Sequence, residues 1–188
     1  RAKEVFRDAL RLSLFVALPS TVALGLLAEP TVAVLFGRGR FDEVAIAETA
    51  WALIYLAGFI WAVASVRTVV PMFHALGDTR SPVKASAANL VVFFAVALAT
   101  MRSLKHAGLA LAIGVAAAVQ LFTLIFMLRR RVGRLGLRSV AISAARSSGA
   151  ALVMGLAILG IARFGEWYRG STPFNAVLLG VAVTTGAV

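Results

Sequence analysis

The chain has 188 residues, 61% of them hydrophobic, with a mean hydropathy of +0.92, a formal charge of +11 and no cysteine. A single soluble core of this length needs only about 45–50% apolar residues, and the lack of cysteine excludes a disulfide framework, a thiolate metal site and a cysteine nucleophile. The basic residues fall between long apolar blocks, with no basic helix face and no aromatic ladder for bases, so the charge reads as membrane topology and not as nucleic-acid binding.

Residues 1–11 carry Arg1, Lys3, Arg7 and Arg11 against Glu4 and Asp8. This spacing predicts an amphipathic leader helix on the cytoplasmic membrane surface. No short apolar region with a small-residue cleavage site follows it, so it is not a signal peptide. Span A is expected over residues 12–36, with Pro19 inside it. The Glu29-Pro30 step favours extended backbone. Span A should therefore end there, continue as a short interfacial piece to Phe36, and leave Glu29 solvated. The stretch Gly37-Arg38-Gly39-Arg40-Phe41 reads as a tight turn.

Span B follows over residues 50–76 and contains Arg67 and Pro71. Pro19 and Pro71 each remove a backbone donor and should kink or loosen their helices. Span C covers 85–101 with Asn89, and span D covers 107–128 with Gln120. Gly108, Ala110, Ala112 and Gly114 line one stretch of span D, where small residues let helices approach closely. A basic cytoplasmic linker over 132–146 leads to span E at 147–164. Span F starts near Phe174, which leaves fifteen residues, 174–188, for it. A span needs about 20 residues, so the chain is expected to be a portion of a longer protein. The fold class is an all-α polytopic transmembrane bundle of six spans.

Orientation follows from the short loops. One side holds Arg1, Lys3, Arg7, Arg11, Arg80, Lys84, Arg129, Arg130, Arg131, Arg134, Arg138 and Arg146. The other holds Arg38, Arg40, Arg102, Lys105, Arg163 and Arg169. Twelve against six places residue 1 in the cytoplasm.

The chemistry is sparse. There is no GxxxxGK[ST] phosphate loop, and no Ser-His-Asp arrangement can be built from loops this short. His74 and His106 lie at span ends on opposite faces of the membrane, so they do not share a metal. No cofactor, metal or enzymatic activity is expected. Arg67 is the most informative residue. It lies nine residues before Leu76, roughly 13 Å along the helix at 1.5 Å per residue. An intramembrane Arg either lines a water-filled cavity and meets an anionic substrate, or snorkels to the interface. Asn89 and Gln120 either make an interhelical hydrogen bond or contact substrate.

Several stretches in order carry a resemblance: Leu18-Pro19-Ser20, then Leu35-Phe36-Gly37-Arg38-Gly39-Arg40-Phe41-Asp42, then Ala75-Leu76-Gly77-Asp78-Thr79-Arg80-Ser81-Pro82-Val83-Lys84. Span D adds Lys105-His106-Ala107-Gly108-Leu109-Ala110-Leu111-Ala112 at its start and Leu128-Arg129-Arg130-Arg131 at its end. Together they resemble the C-terminal half of the MurJ/MviN lipid II flippase family, within the MOP exporter superfamily. The match covers residues 12–131, whereas spans E and F agree only in placement and hydrophobicity.

The resemblance implies a fourteen-helix, two-lobe transporter of the bacterial inner membrane. Residues 12–131 would be four helices of the C-terminal lobe, and 147–188 two extra C-terminal helices. The implied cargo is a polyprenyl-diphosphate lipid, undecaprenyl-linked peptidoglycan precursor, moved by alternating access. A cationic cavity would hold its diphosphate-sugar headgroup, and an apolar groove its tail. Family members often carry a basic residue at the place of Arg67. The family's other cavity arginines belong to missing N-terminal helices, which would be this chain's partners together with membrane lipids. The alternatives are an exporter of another polyprenyl-linked oligosaccharide or a small molecule, and a non-transport membrane scaffold that uses Arg129, Arg130 and Arg131.

Overall fold

Apolar blocks this long must satisfy their backbone groups internally, and helices do so within one segment. The computed structural model describes residues 2–37, 42–133 and 136–162. Among them the order is α1 (Ala2–Leu26), α2 (Ala28–Phe36), α3 (Glu43–Ala57), α4 (Ile60–Ala75), α5 (Arg80–Val132) and α6 (Leu137–Ala162). The fold is all-α, as expected.

The leader differs from the expected surface helix. It forms the first turns of α1, continuous with span A. Phe6 and Leu10 sit on one face at i, i+4 and are buried beside Val69 and Phe73 of α4 and Leu124 and Leu128 of α5. An apolar pair with that spacing finds more contact in the bundle than on a membrane surface. The helix runs through Pro19. Just beyond it, Ser20 Oγ and Thr21 Oγ1 donate to the carbonyls of Val16 and Ala17 at 2.8 and 2.9 Å. These bonds act on carbonyls just past Phe15, the i−4 acceptor that Pro19 leaves without an N–H, and back-bonding of this kind favours a bend.

Span A breaks at Leu27, two residues before Glu29, and Pro30 then sits in the first turn of α2. Proline is tolerated there because the first N–H groups of a helix have no intrahelical acceptor. Glu29 is half-buried. After the turn, the Asp42 carboxylate accepts from Ala45 N at 2.9 Å and caps α3. This is the ordinary role of Asp at an N-cap.

Span B departs most from expectation. It begins earlier, at Glu43, and divides into α3 and α4, bent by 40°. The break lies at Gly58 and Phe59, while α4 continues through Pro71. Trp61 Nε1 donates to the Gly58 carbonyl at 3.0 Å. The Phe59 ring fills the space that a Cβ would need at Gly114, so the bend is seated in a notch of α5.

A straight α5 of 53 residues would extend about 80 Å at 1.5 Å per residue. It folds back instead at Lys105, whose φ of 48° and ψ of −127° interrupt the helix. The two arms are spans C and D, each longer than expected. At the apex, a Cβ on Gly108 would lie 2.9 Å from the Thr100 carbonyl, so only glycine permits this approach. The basic linker is also shorter than expected, because α6 starts at Leu137. Gly155 of α6 meets α1, where an added Cβ would lie 2.9 Å from Val22 Cγ1. Thus α1, the bent α3–α4 pair, the two arms of α5, and α6 correspond to spans A to E. Span F lies outside the described residues.

Candidate substrate-facing residues

The face of α4 that meets the core is Ala62, Ser65, Val69 and Phe73. The opposite face is Val63, Arg67, Pro71 and His74, all exposed. Arg67 therefore points away from the packed bundle, near the middle of its helix. Among the described residues it makes no hydrogen bond or ion pair. A guanidinium at this depth without a carboxylate needs water or an anion. His74 shares its exposed face seven residues on, a relation that follows from the i, i+7 spacing once that face is known.

The structure does not bring Asn89 and Gln120 to Arg67. They clasp the two arms of α5 instead. Asn89 Nδ2 donates to Gln120 Oε1 at 3.0 Å. Gln120 Nε2 donates in turn to Ser86 Oγ at 3.1 Å. Both side chains are half-buried, and the clasp engages the Asn89 amide nitrogen and both ends of the Gln120 amide.

The end of the bundle that carries the arginine cluster is locked by Asp78, which is 6% exposed. Its carboxylate accepts from Ser81 Oγ at 2.5 Å and from the Arg80 and Ser81 N–H groups at 3.1 Å each. The Arg131 guanidinium lies 3.1 Å away. The Ser81 hydroxyl and its N–H, then Arg131 and the Arg80 N–H, hold the carboxyl below the usual range against the opposing effect of burial. Asp78 thus caps the first arm of α5 and ties it to the last turn of the second. An Asp-x-x-Ser pattern ahead of an apolar run was the available signal for the cap. Its partner Arg131, far along the chain, had none.

The apex is more open. Lys105 Nζ lies 3.6 Å from Glu48 Oε1, both well exposed. His106 Nε2 approaches the Glu48 carbonyl at 3.2 Å. A cleft of about 390 Å³ runs between them and Trp51 and Tyr55. His74 and His106 lie at opposite ends of the bundle.

Comparison with known proteins agrees along most of the chain. The family model described as lipid II flippase MurJ matches residues 1–178. A probable lipid II flippase MurJ of Rickettsia prowazekii is 30% identical over 116 residues, covering 62% of this chain and 23% of that protein. A lipid II flippase MurJ of Burkholderia cenocepacia is 33% identical over 122 residues, covering 65% and 24%. The chain thus spans about a quarter of the length of these curated relatives. A solved lipid II flippase MurJ in an inward closed conformation superposes with a TM-score of 0.81 at 17% identity. That match covers 100% of this chain and 38% of the other, and it establishes the shared fold. With a family model that extends from residue 1 to residue 178, this chain belongs to the lipid II flippase MurJ family.

Proposed function

We propose that the chain is the C-terminal portion of a carrier that moves lipid II across the bacterial inner membrane by alternating access. The observation that carries this reading is the family match over residues 1–178. The positive-inside count supports a cytoplasmic residue 1. Residues 12–131 then supply four helices of the C-terminal lobe, and α6 supplies the first of the two extra helices.

Arg67 supplies a cation for the diphosphate headgroup. A guanidinium offers forked donors that suit phosphate oxygens, and Arg67 has none of its donors occupied by described residues. Asn89 and Gln120 would contact cargo only if their clasp opened, so their first role is to hold the two arms of α5 together. The cargo is anionic, and a unit charge crossing 100 mV is worth about 2.3 kcal/mol. Membrane potential or an ion gradient can therefore drive the cycle without ATP.

Depletion of the full-length protein in cells tests the reading. Lipid II should accumulate in the cytoplasmic leaflet. Arrival of lipid II in the outer leaflet at its normal rate would overturn it.

A further inference from the structure

The leader of α1 carries Lys3, Arg7 and Arg11 at i, i+4 and i+8, one line along the helix. All three run beside the connection into α6 and α6 itself. Lys3 Nζ donates to the Val132 carbonyl at 2.8 Å. Arg7 packs so closely on Gly136 that an added Cβ there would lie 2.9 Å from its guanidinium. Arg11 opens into a cleft of about 310 Å³ between α1 and α6, with Asp8, Leu12, Phe15, Ser143 and Ser147.

Hydrogen-bonding capacity in this cleft is largely unused. Arg11 Nε is buried and has no acceptor among the described residues. Among the described residues Arg11 pairs with Asp8 at 3.5 Å, and that carboxylate is 72% exposed. Surface pairs of this geometry contribute little. Ser147 is 7% exposed, lines the cleft and makes no hydrogen bond with a described residue. A buried guanidinium nitrogen without an acceptor is uncommon and points to a missing anion. At the mouth the cleft turns apolar, with Leu12 65% and Phe15 61% exposed.

We propose that this cleft between α1 and α6 binds an anionic glycerophospholipid of the cytoplasmic leaflet. Arg11 and Ser147 hold the phosphate, Arg7 adds charge, and the acyl chain lies over Leu12 and Phe15. The apolar mouth selects a lipid over free phosphate. The site is separate from Arg67 and does not depend on what the carrier transports.

The test is native mass spectrometry of the purified full-length protein with dioleoylphosphatidylglycerol, dioleoylphosphatidylcholine or undecaprenyl diphosphate. Phosphatidylglycerol should be retained about tenfold better than phosphatidylcholine, since each basic residue near an anionic surface contributes appreciably. Arg7→Gln/Arg11→Gln should abolish that preference. Ser147→Ala, which removes only the hydroxyl, should weaken it about threefold. Arg130→Gln, a cation at the same membrane end but outside the cleft, should leave it intact. Equal retention of the two phospholipids would overturn the proposal, as would an equal loss in Arg130→Gln. Displacement of phosphatidylglycerol by equimolar undecaprenyl diphosphate would also overturn it, by assigning the cleft to the polyprenyl lipid.

Discussion

The two ends of the α5 hairpin contrast sharply. At the arginine-rich end, one buried carboxylate joins a helix start to a helix finish. Asp78 accepts from two backbone N–H groups, a serine hydroxyl and Arg131. At the apex, Lys105 turns the chain with a positive φ and meets Glu48 in an exposed pair. The first end is fixed by a buried carboxylate whose partners are in place, and the second by close packing of small residues. The second can open more readily than the first. Local opening is easiest where few polar groups must be left without partners.

Breaking the lock should have the largest effect. Asp78→Ala should give the greatest fall in the thermal unfolding midpoint of the full-length protein in detergent. The same carboxylate predicts an acid dependence. Its pKa is depressed in the fold, so its stabilisation is present above the usual carboxylate range and is lost as pH falls through the lower folded value. An unfolding series across that acidic window should show the loss in the parent and not in Asp78→Asn.

Next comes the notch under the bend. Gly114→Ala forces Phe59 to move, and overpacking of this kind typically costs about 1–3 kcal/mol. Adding Phe59→Ala should restore part of that loss, because the two positions touch and their effects are not additive. Equal unfolding midpoints for Gly114→Ala and the parent would contradict the seating of the bend.

Smaller effects follow from the clasp and the apex pair. Asn89→Leu removes one interhelical hydrogen bond, worth about 0.6 kcal/mol on average in membrane bundles. Glu48→Gln removes a surface ion pair, with an expected change of about 0–1 kcal/mol. A Glu48→Gln effect as large as that of Asp78→Ala would erase the distinction between the two ends.

Much of the fold was legible because apolar runs separated by charges must cross a bilayer as helices. Arg67 was legible as a cation inside such a run, and Asn89 and Gln120 as polar residues facing another helix. The break at Gly58 was not. A glycine in an apolar block looks like any small packing residue until the notch at Gly114 is known. The burial of Phe6 and Leu10 was hidden by the charges beside them, which suit a membrane surface equally well. The bond between Asp78 and Arg131 depends on how closely the arms of α5 fold back, and no local pattern encodes that distance.

In the proposed function, Arg67 meets an anionic cargo. The most direct measurement is lipid II translocation by the full-length protein carrying Arg67→Ala, with Arg67→Lys beside it and membrane abundance recorded for both. Transport should fall in Arg67→Ala at unchanged abundance and recover in part with Lys. Normal transport in Arg67→Ala would contradict the claim and leave Arg67 as a residue that only reaches for the membrane interface.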